Sequence, residues 1–244
     1  MRRAVAILVG ACLVLGIGCG DYEVRLQKTY EEMKYQKRLK DNLADAPTKG
    51  LLQQDAIYVR PPKGLVGPTQ TFSLTVVDPG KYDIENSFID QEKKASLHLL
   101  VRIKKPKAAP DAKKAAPAAE ITPRGKFIDD VVELVKAAYP VEQLTTAMLK
   151  PETKTHLNRE NAYKAVKLDL ADKEVQVYVY GDENSTHQVA LIFEYPKTEV
   201  NNLSPKIGLC LESLAVGERA RSAFSGGGDV EGGEEVGGGE PPPI

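Results

Sequence analysis

The sequence predicts an α+β domain. We expect a mostly antiparallel sheet covered by helices, an α/β/α sandwich, with an N-terminal stalk helix and a disordered loop and tail. Three observations lead there. Several runs alternate apolar and polar residues with the period of two that suits strands. Two later segments carry apolar residues at i, i+3, i+4 and i+7, as a helix with one buried face does. One late strand pair is apolar on both faces, which calls for cover on both sides.

The chain begins with a positive head, Met1-Arg2-Arg3, and an uncharged run from Ala4 to Ile17. Those residues are too few for the roughly 20 of a membrane-spanning helix, and they fit the apolar core of a signal peptide. Gly16 and Gly18 then precede Cys19. A small residue before a cysteine resembles the bacterial lipoprotein signal, which implies cleavage after residue 18 and lipid on Cys19. Ordinary cleavage at the same bond would export the chain without lipid. A retained anchor or a buried helix is the third alternative. Cys12 leaves with a cleaved signal, so Cys210 alone would remain as a structural thiol, and it cannot form a disulfide within the mature body.

Residues 19–50 read as the lipid anchor and a stalk. The stretch 21–46 is charged and free of Gly and Pro. Tyr22, Leu26, Tyr30 and Met33 fall on one helical line. A coiled-coil frame through Tyr22, Leu26, Thr29, Met33, Gln36, Lys40 and Leu43 has three polar seam positions, which favours a spacer helix over a paired one.

Residues 51–223 are expected to form a single domain, interrupted at 104–120. That interruption holds five Lys, seven Ala and three Pro in seventeen positions. Its proline content and lack of large apolar side chains predict a disordered basic loop. Residues 224–244 form an acidic tail rich in Gly and are also expected to be disordered.

Within the domain, Ala56–Arg60, Thr71–Val77 and Ser96–Ile103 read as strands. A helix follows, with Thr122 and Pro123 at its start, Phe127, Val131, Leu134 and Val135 on its buried stripe, and Pro140 at its end. Three more strands are expected: Tyr163–Leu170, one through Val175, Val177 and Val179, and one through Val189, Leu191 and Phe193. The last two form a hairpin around Gly181–Ser185, with Tyr178, Tyr180, Ala190 and Ile192 on the second face. A last helix is expected from Ser204 as cap through Ile207, Cys210, Leu211 and Leu214, stopped by Gly217.

The element order β-β-β-α-β-β-β-α and the ending VALIFEYPKTEVNNLSPKIGLCLESLAVG resemble the PsbP/Mog1-like group. In that group a late apolar hairpin precedes a C-terminal helix with a Ser near its end, here Ser213. The resemblance covers residues 55–217. It implies an α/β/α sandwich and a non-enzymatic assembly or binding role, and it carries no functional residue over.

Composition narrows the function classes. Lys plus Arg number 33 against 34 acids, a balance that argues against a nucleic-acid-binding protein. Three His and three Cys leave little material for a metal or thiol site. No phosphate loop, nucleophile elbow or zinc motif is present. Asp83, Glu85, Asp90 and Glu92 lack the glycine and closing Glu of a calcium loop, and read as a solvated strand or turn. Asn184-Ser185-Thr186 matches a glycosylation acceptor only by coincidence in a bacterial-type lipoprotein.

We therefore expect no catalytic residue, metal or small-molecule cofactor, and Cys19 as the lipidation site. The expected role is an exported, membrane-anchored, non-enzymatic binding or assembly module of the bacterial envelope. Its expected partners are the membrane, through the lipid, and an envelope protein. One alternative is an envelope tether whose basic loop holds an anionic polymer. Another is an exported hydrolase working through carboxylates.

Overall fold

The computed structural model describes residues 19–69, 74, 80–104, 124–156 and 159–225. The expected signal at 1–18, the strand 71–77 apart from Leu74, the cap at Thr122-Pro123, nearly all of the basic loop and all of the tail beyond Phe224 and Ser225 lie outside them. The chain divides into two compact units, Met1–Asn42 and Leu43–Ile244. The first contains α1 (Cys19–Asn42), whose charged, straight-chain residues form the expected stalk helix and stop short of the stretch's expected end at residue 46. No helix among the described residues is long and apolar enough to cross a membrane.

The second unit is α+β. Its first elements are α2 (Leu51–Gln54), β1 (Ile57–Tyr58), β2 (Val66–Thr69), β3 (Ile84–Asp90), β4 (Ala95–Ile103) and α3 (Phe127–Ala138). After them come β5 (Lys150–His156), β6 (Arg159–Asp169), β7 (Lys173–Tyr180), β8 (His187–Pro196), α4 (Val200–Ser213), β9 (Ala215–Val216) and α5 (Glu218–Phe224). Seven strands make one antiparallel sheet in the order β2-β3-β4-β8-β7-β6-β5. β1 and β9 pair separately.

Both faces of the central strands are apolar, and each has its helix. On one face, Phe127, Val131, Leu134 and Val135 of α3 share a core with Leu100, Val175, Val177, Val179, Ala190 and Ile192. The other face carries Leu97, Leu191, Phe193 and Tyr163, all buried. There the Tyr163 hydroxyl donates to the Leu211 carbonyl at 2.7 Å, and Asn161 Nδ2 donates to the carbonyls of Leu211 and Leu214 at 3.1 and 2.9 Å. Those bonds satisfy carbonyls that the end of α4 leaves free. They also fix α4 on this face.

Several sequence expectations need correction. The acidic stretch around Glu85 is an internal strand, β3, paired on both sides. Ile84, Ser87 and Phe88 are buried, so only part of the stretch is solvated. β5 was not anticipated, because KPETKTH is a polar edge strand with almost no apolar signal. The β7–β8 register is also different. Val177 faces Ile192 and Tyr178 faces Leu191, so the β7 valines share a face with Ala190 and Ile192 rather than with Leu191 and Phe193. The loop at 181–186, with Gly181 at φ 83°, sets that offset.

α4 starts at Val200 after a short 3-10 turn, four residues before the expected cap at Ser204, and holds Pro205 inside it. Its end is not at Gly217. That glycine has φ 64° and caps the start of α5, while its N–H donates to the Ala56 carbonyl at 2.8 Å. The short α5 was not anticipated; it carries Phe224, which packs edge-on against Tyr58 at 5.2 Å.

A cation-lined cleft at the β4–α3 mouth

β4 ends in Arg102-Ile103-Lys104, and the described chain resumes at Arg124-Gly125-Lys126 to enter α3. Together with Glu183 and Gln188 these residues line an open cleft of about 510 Å³. The strand alternation places Arg102 on the same face as His98 and Leu100.

Arg102 is buried, and its charge is met on all sides. Its Nε and Nη2 donate to the Lys81 carbonyl at 3.0 and 2.8 Å, and Nη1 donates to the Gly125 carbonyl at 2.8 Å. Nη2 also donates to Asp130 Oδ2 at 2.5 Å. The guanidinium carbon lies 5.9 Å from the Tyr82 ring centre and 5.3 Å from that of Phe127. Arg102 therefore ties β4 to the first turn of α3 and forms the floor of the cleft.

Arg124 is fixed by a two-pronged pair with Asp83, both bonds at 3.0 Å, and Asp83 Oδ2 also accepts the Ile103 N–H at 2.7 Å. Lys126 reaches Glu183 across the opening at 2.9 Å. That hydrogen bond, with the Glu183 charge, raises the lysine's pKa. The pair is exposed and water-screened, so a stronger anionic partner can displace Glu183 at little cost. The Lys104 side chain is exposed, while its N–H donates to the Thr186 carbonyl at 2.9 Å. Among the bordering acids, the Asp182 carboxyl is held low by hydrogen bonds from the Asn184 N–H and the Ser185 hydroxyl, with a smaller contribution from the Lys104 charge. With Arg102 and Arg124 committed to Asp130 and Asp83, the cations the cleft can offer to a negatively charged group are Lys104 and, once Glu183 is displaced, Lys126.

A second open cleft, about 450 Å³, is lined mainly by Pro140, Val141, Leu144, Met148 and Leu168 beyond the end of α3.

Of the three histidines, His156 and His187 are half-buried, whereas His98, like the thiol of Cys210, is enclosed away from the cleft. His98 is fully buried between two hydroxyls, Ser87 Oγ on Nδ1 and Ser96 Oγ on Nε2, both at 2.9 Å. Burial pushes its pKa down to about 4, against a smaller upward pull from Glu194. Cys210 is fully buried on α4, and burial pushes its thiol up, away from reactivity. Among the described residues no group of three or more His, Cys, Asp or Glu could hold a metal ion.

Cys19, the expected lipidation site, is the first residue of α1, and its side chain lies outside the description. Sequence reasoning had not singled out Arg102, Arg124, Lys126 or Asp130. The available signal was an arginine on a buried strand face and an aspartate beside the α3 stripe, two charges that need each other if buried.

No protein-family model and no curated protein matches the chain. Among solved structures, it is similar to cyanobacterial PsbP (CyanoP) from Synechocystis sp. PCC 6803 at 12% identity and a TM-score of 0.39, over 72% of this chain and 93% of that one. It is also similar to the Saccharomyces cerevisiae Ran-binding protein Mog1p at 15% identity and a TM-score of 0.28, over 72% of this chain and 87% of that one. The chain thus has a weak PsbP/Mog1-like resemblance of fold, and no residue role passes across it.

Proposed function

We propose that this chain is an exported protein, anchored to a bacterial membrane by lipid on Cys19, that works as a non-enzymatic binding module of the envelope. The anchor rests on the charged head, the apolar run 4–17 and Gly18-Cys19. The binding role rests on one observation above the others. The cleft at the β4–α3 mouth is lined by Arg102, Lys104, Arg124 and Lys126, while His98 and Cys210 are buried.

A second reading is favoured by where that cleft lies. Lys104 opens the segment 104–120 and its five lysines, so the module would tether an anionic envelope polymer. Retention of the protein on immobilised polyphosphate and polyglutamate, followed over increasing salt, tests both. The binding role at this cleft predicts retention that falls with salt and is largely lost in Lys104→Glu with Lys126→Glu. Retention that the double variant leaves unchanged would refute a role for the cleft.

A further inference from the structure

The described side chains from Tyr22 to Glu31 of α1 are all exposed. Of the five large exposed apolar groups among them and just beyond, Val24, with 69% of its surface open, lies on the opposite side of the helix. The other four, Tyr22, Leu26, Tyr30 and Met33, have 68, 57, 66 and 66% of their surface open. At 100° per residue they fall within an arc of about 80°. Continuing along the helix, the next residues in that arc are Lys37 and Lys40, both exposed. No acidic residue falls inside the arc; Glu23 and Asp41 lie just outside its edge. The line runs about 27 Å, with its apolar end beside Cys19 and its basic end away from it.

We propose that this line is a membrane-surface contact. Tyr22, Leu26, Tyr30 and Met33 rest at the boundary between headgroups and acyl chains, and Lys37 and Lys40 meet anionic headgroups. The proposal rests on the reading of Cys19 as the lipid anchor. Three features select a lipid surface as the occupant. The anchor is only three residues before Tyr22, so acyl chains would hold the first turn of α1 at headgroup depth. Tyrosine joins an apolar ring to a polar hydroxyl and suits that depth. The two lysines complement an anionic lipid surface, where each contributes through charge that salt screens. Pairing with a second copy would instead stack Lys37 and Lys40 along the same seam.

The protein has no tryptophan, so Leu26→Trp gives a single fluorescent reporter at an exposed position. The full chain carrying it, processed and isolated from membranes, is reconstituted into phosphatidylcholine vesicles with and without phosphatidylglycerol. Flotation reads the anchor, and quenching of the introduced indole by brominated acyl chains reads the line. The proposal predicts blue-shifted emission and strong quenching, both lost in Met33→Glu. With Lys37→Gln and Lys40→Gln together, the quenched fraction should fall several-fold on phosphatidylglycerol vesicles and stay unchanged on phosphatidylcholine alone. Protein that floats while the indole stays unquenched overturns the surface contact and leaves the anchor standing. Protein that does not float overturns both. A blue shift without vesicles that grows with protein concentration assigns the line to self-association and also overturns the proposal.

Discussion

His98 and Arg102 show how single residues commit this fold. The imidazole is buried between Ser87 and Ser96, with its folded pKa near 4 against an ordinary value of 6.5. The unfolded chain therefore takes up a proton first as pH falls. Stability from this site is complete above pH 6.5 and is lost progressively toward pH 4, by about 3 kcal/mol in all. Denaturant melts at a series of pH values should show that loss in the wild type and a flatter profile in His98→Gln. An equal slope in both would remove His98 as its source. Arg102 and Asp130 are a buried ion pair whose side chains keep only 6 and 10% of their surface. Asp130→Ala should cost about 3–5 kcal/mol, because it strands the guanidinium, whereas Arg102→Met with Asp130→Leu should cost far less. A double-mutant cycle in denaturant checks this, and additive losses would contradict it. Neither site was legible as a site in the sequence. The alternation placed His98 and Arg102 on one strand face, but their partners Ser87 and Asp130 come from β3 and α3, and only the tertiary pairing joins them.

At the scale of elements, periodicity was informative where one face dominates and silent where charge does. The α3 stripe and β4 follow their apolar spacing closely, and Pro140 falls two residues after the last residue of α3. β3 was obscured because the polar Asn86 and Asp90 break the apolar line that Ile84 and Phe88 would otherwise make. β5 lies at the edge, where lysine and proline protect open backbone groups and erase the apolar signal. The β7–β8 register depends on the turn rather than the strands. Gly181 sits at φ 83°, and a Cβ there would come within 2.5 Å of the His187 carbonyl oxygen. Gly181→Ala should therefore cost about 2–3 kcal/mol through strain and a displaced strand end. A thermal melt within a few tenths of a kcal/mol of wild type would show that the turn yields.

For the whole molecule, the fold class was legible because a sheet apolar on both faces admits few solutions besides cover from two helices. Function was less legible, because the cleft is built from cations supplied by separate segments. The basic segment and the acidic tail bring no cluster of large apolar residues to a core. Deleting 105–120 or 226–244 should shift stability by well under about 2 kcal/mol in denaturant melts, and a larger loss would show that the segment supports the fold. The central claim is that Cys19 is the anchored N-terminus of an exported binding module. Its most direct test is the intact mass of the protein isolated from its native membrane, set beside Cys19→Ala. The account predicts a wild-type chain that begins at Cys19 and carries the added mass of acyl lipid, and a variant without that mass. A wild-type chain that retains Met1, or one that begins at Cys19 with an unmodified thiol, would contradict it.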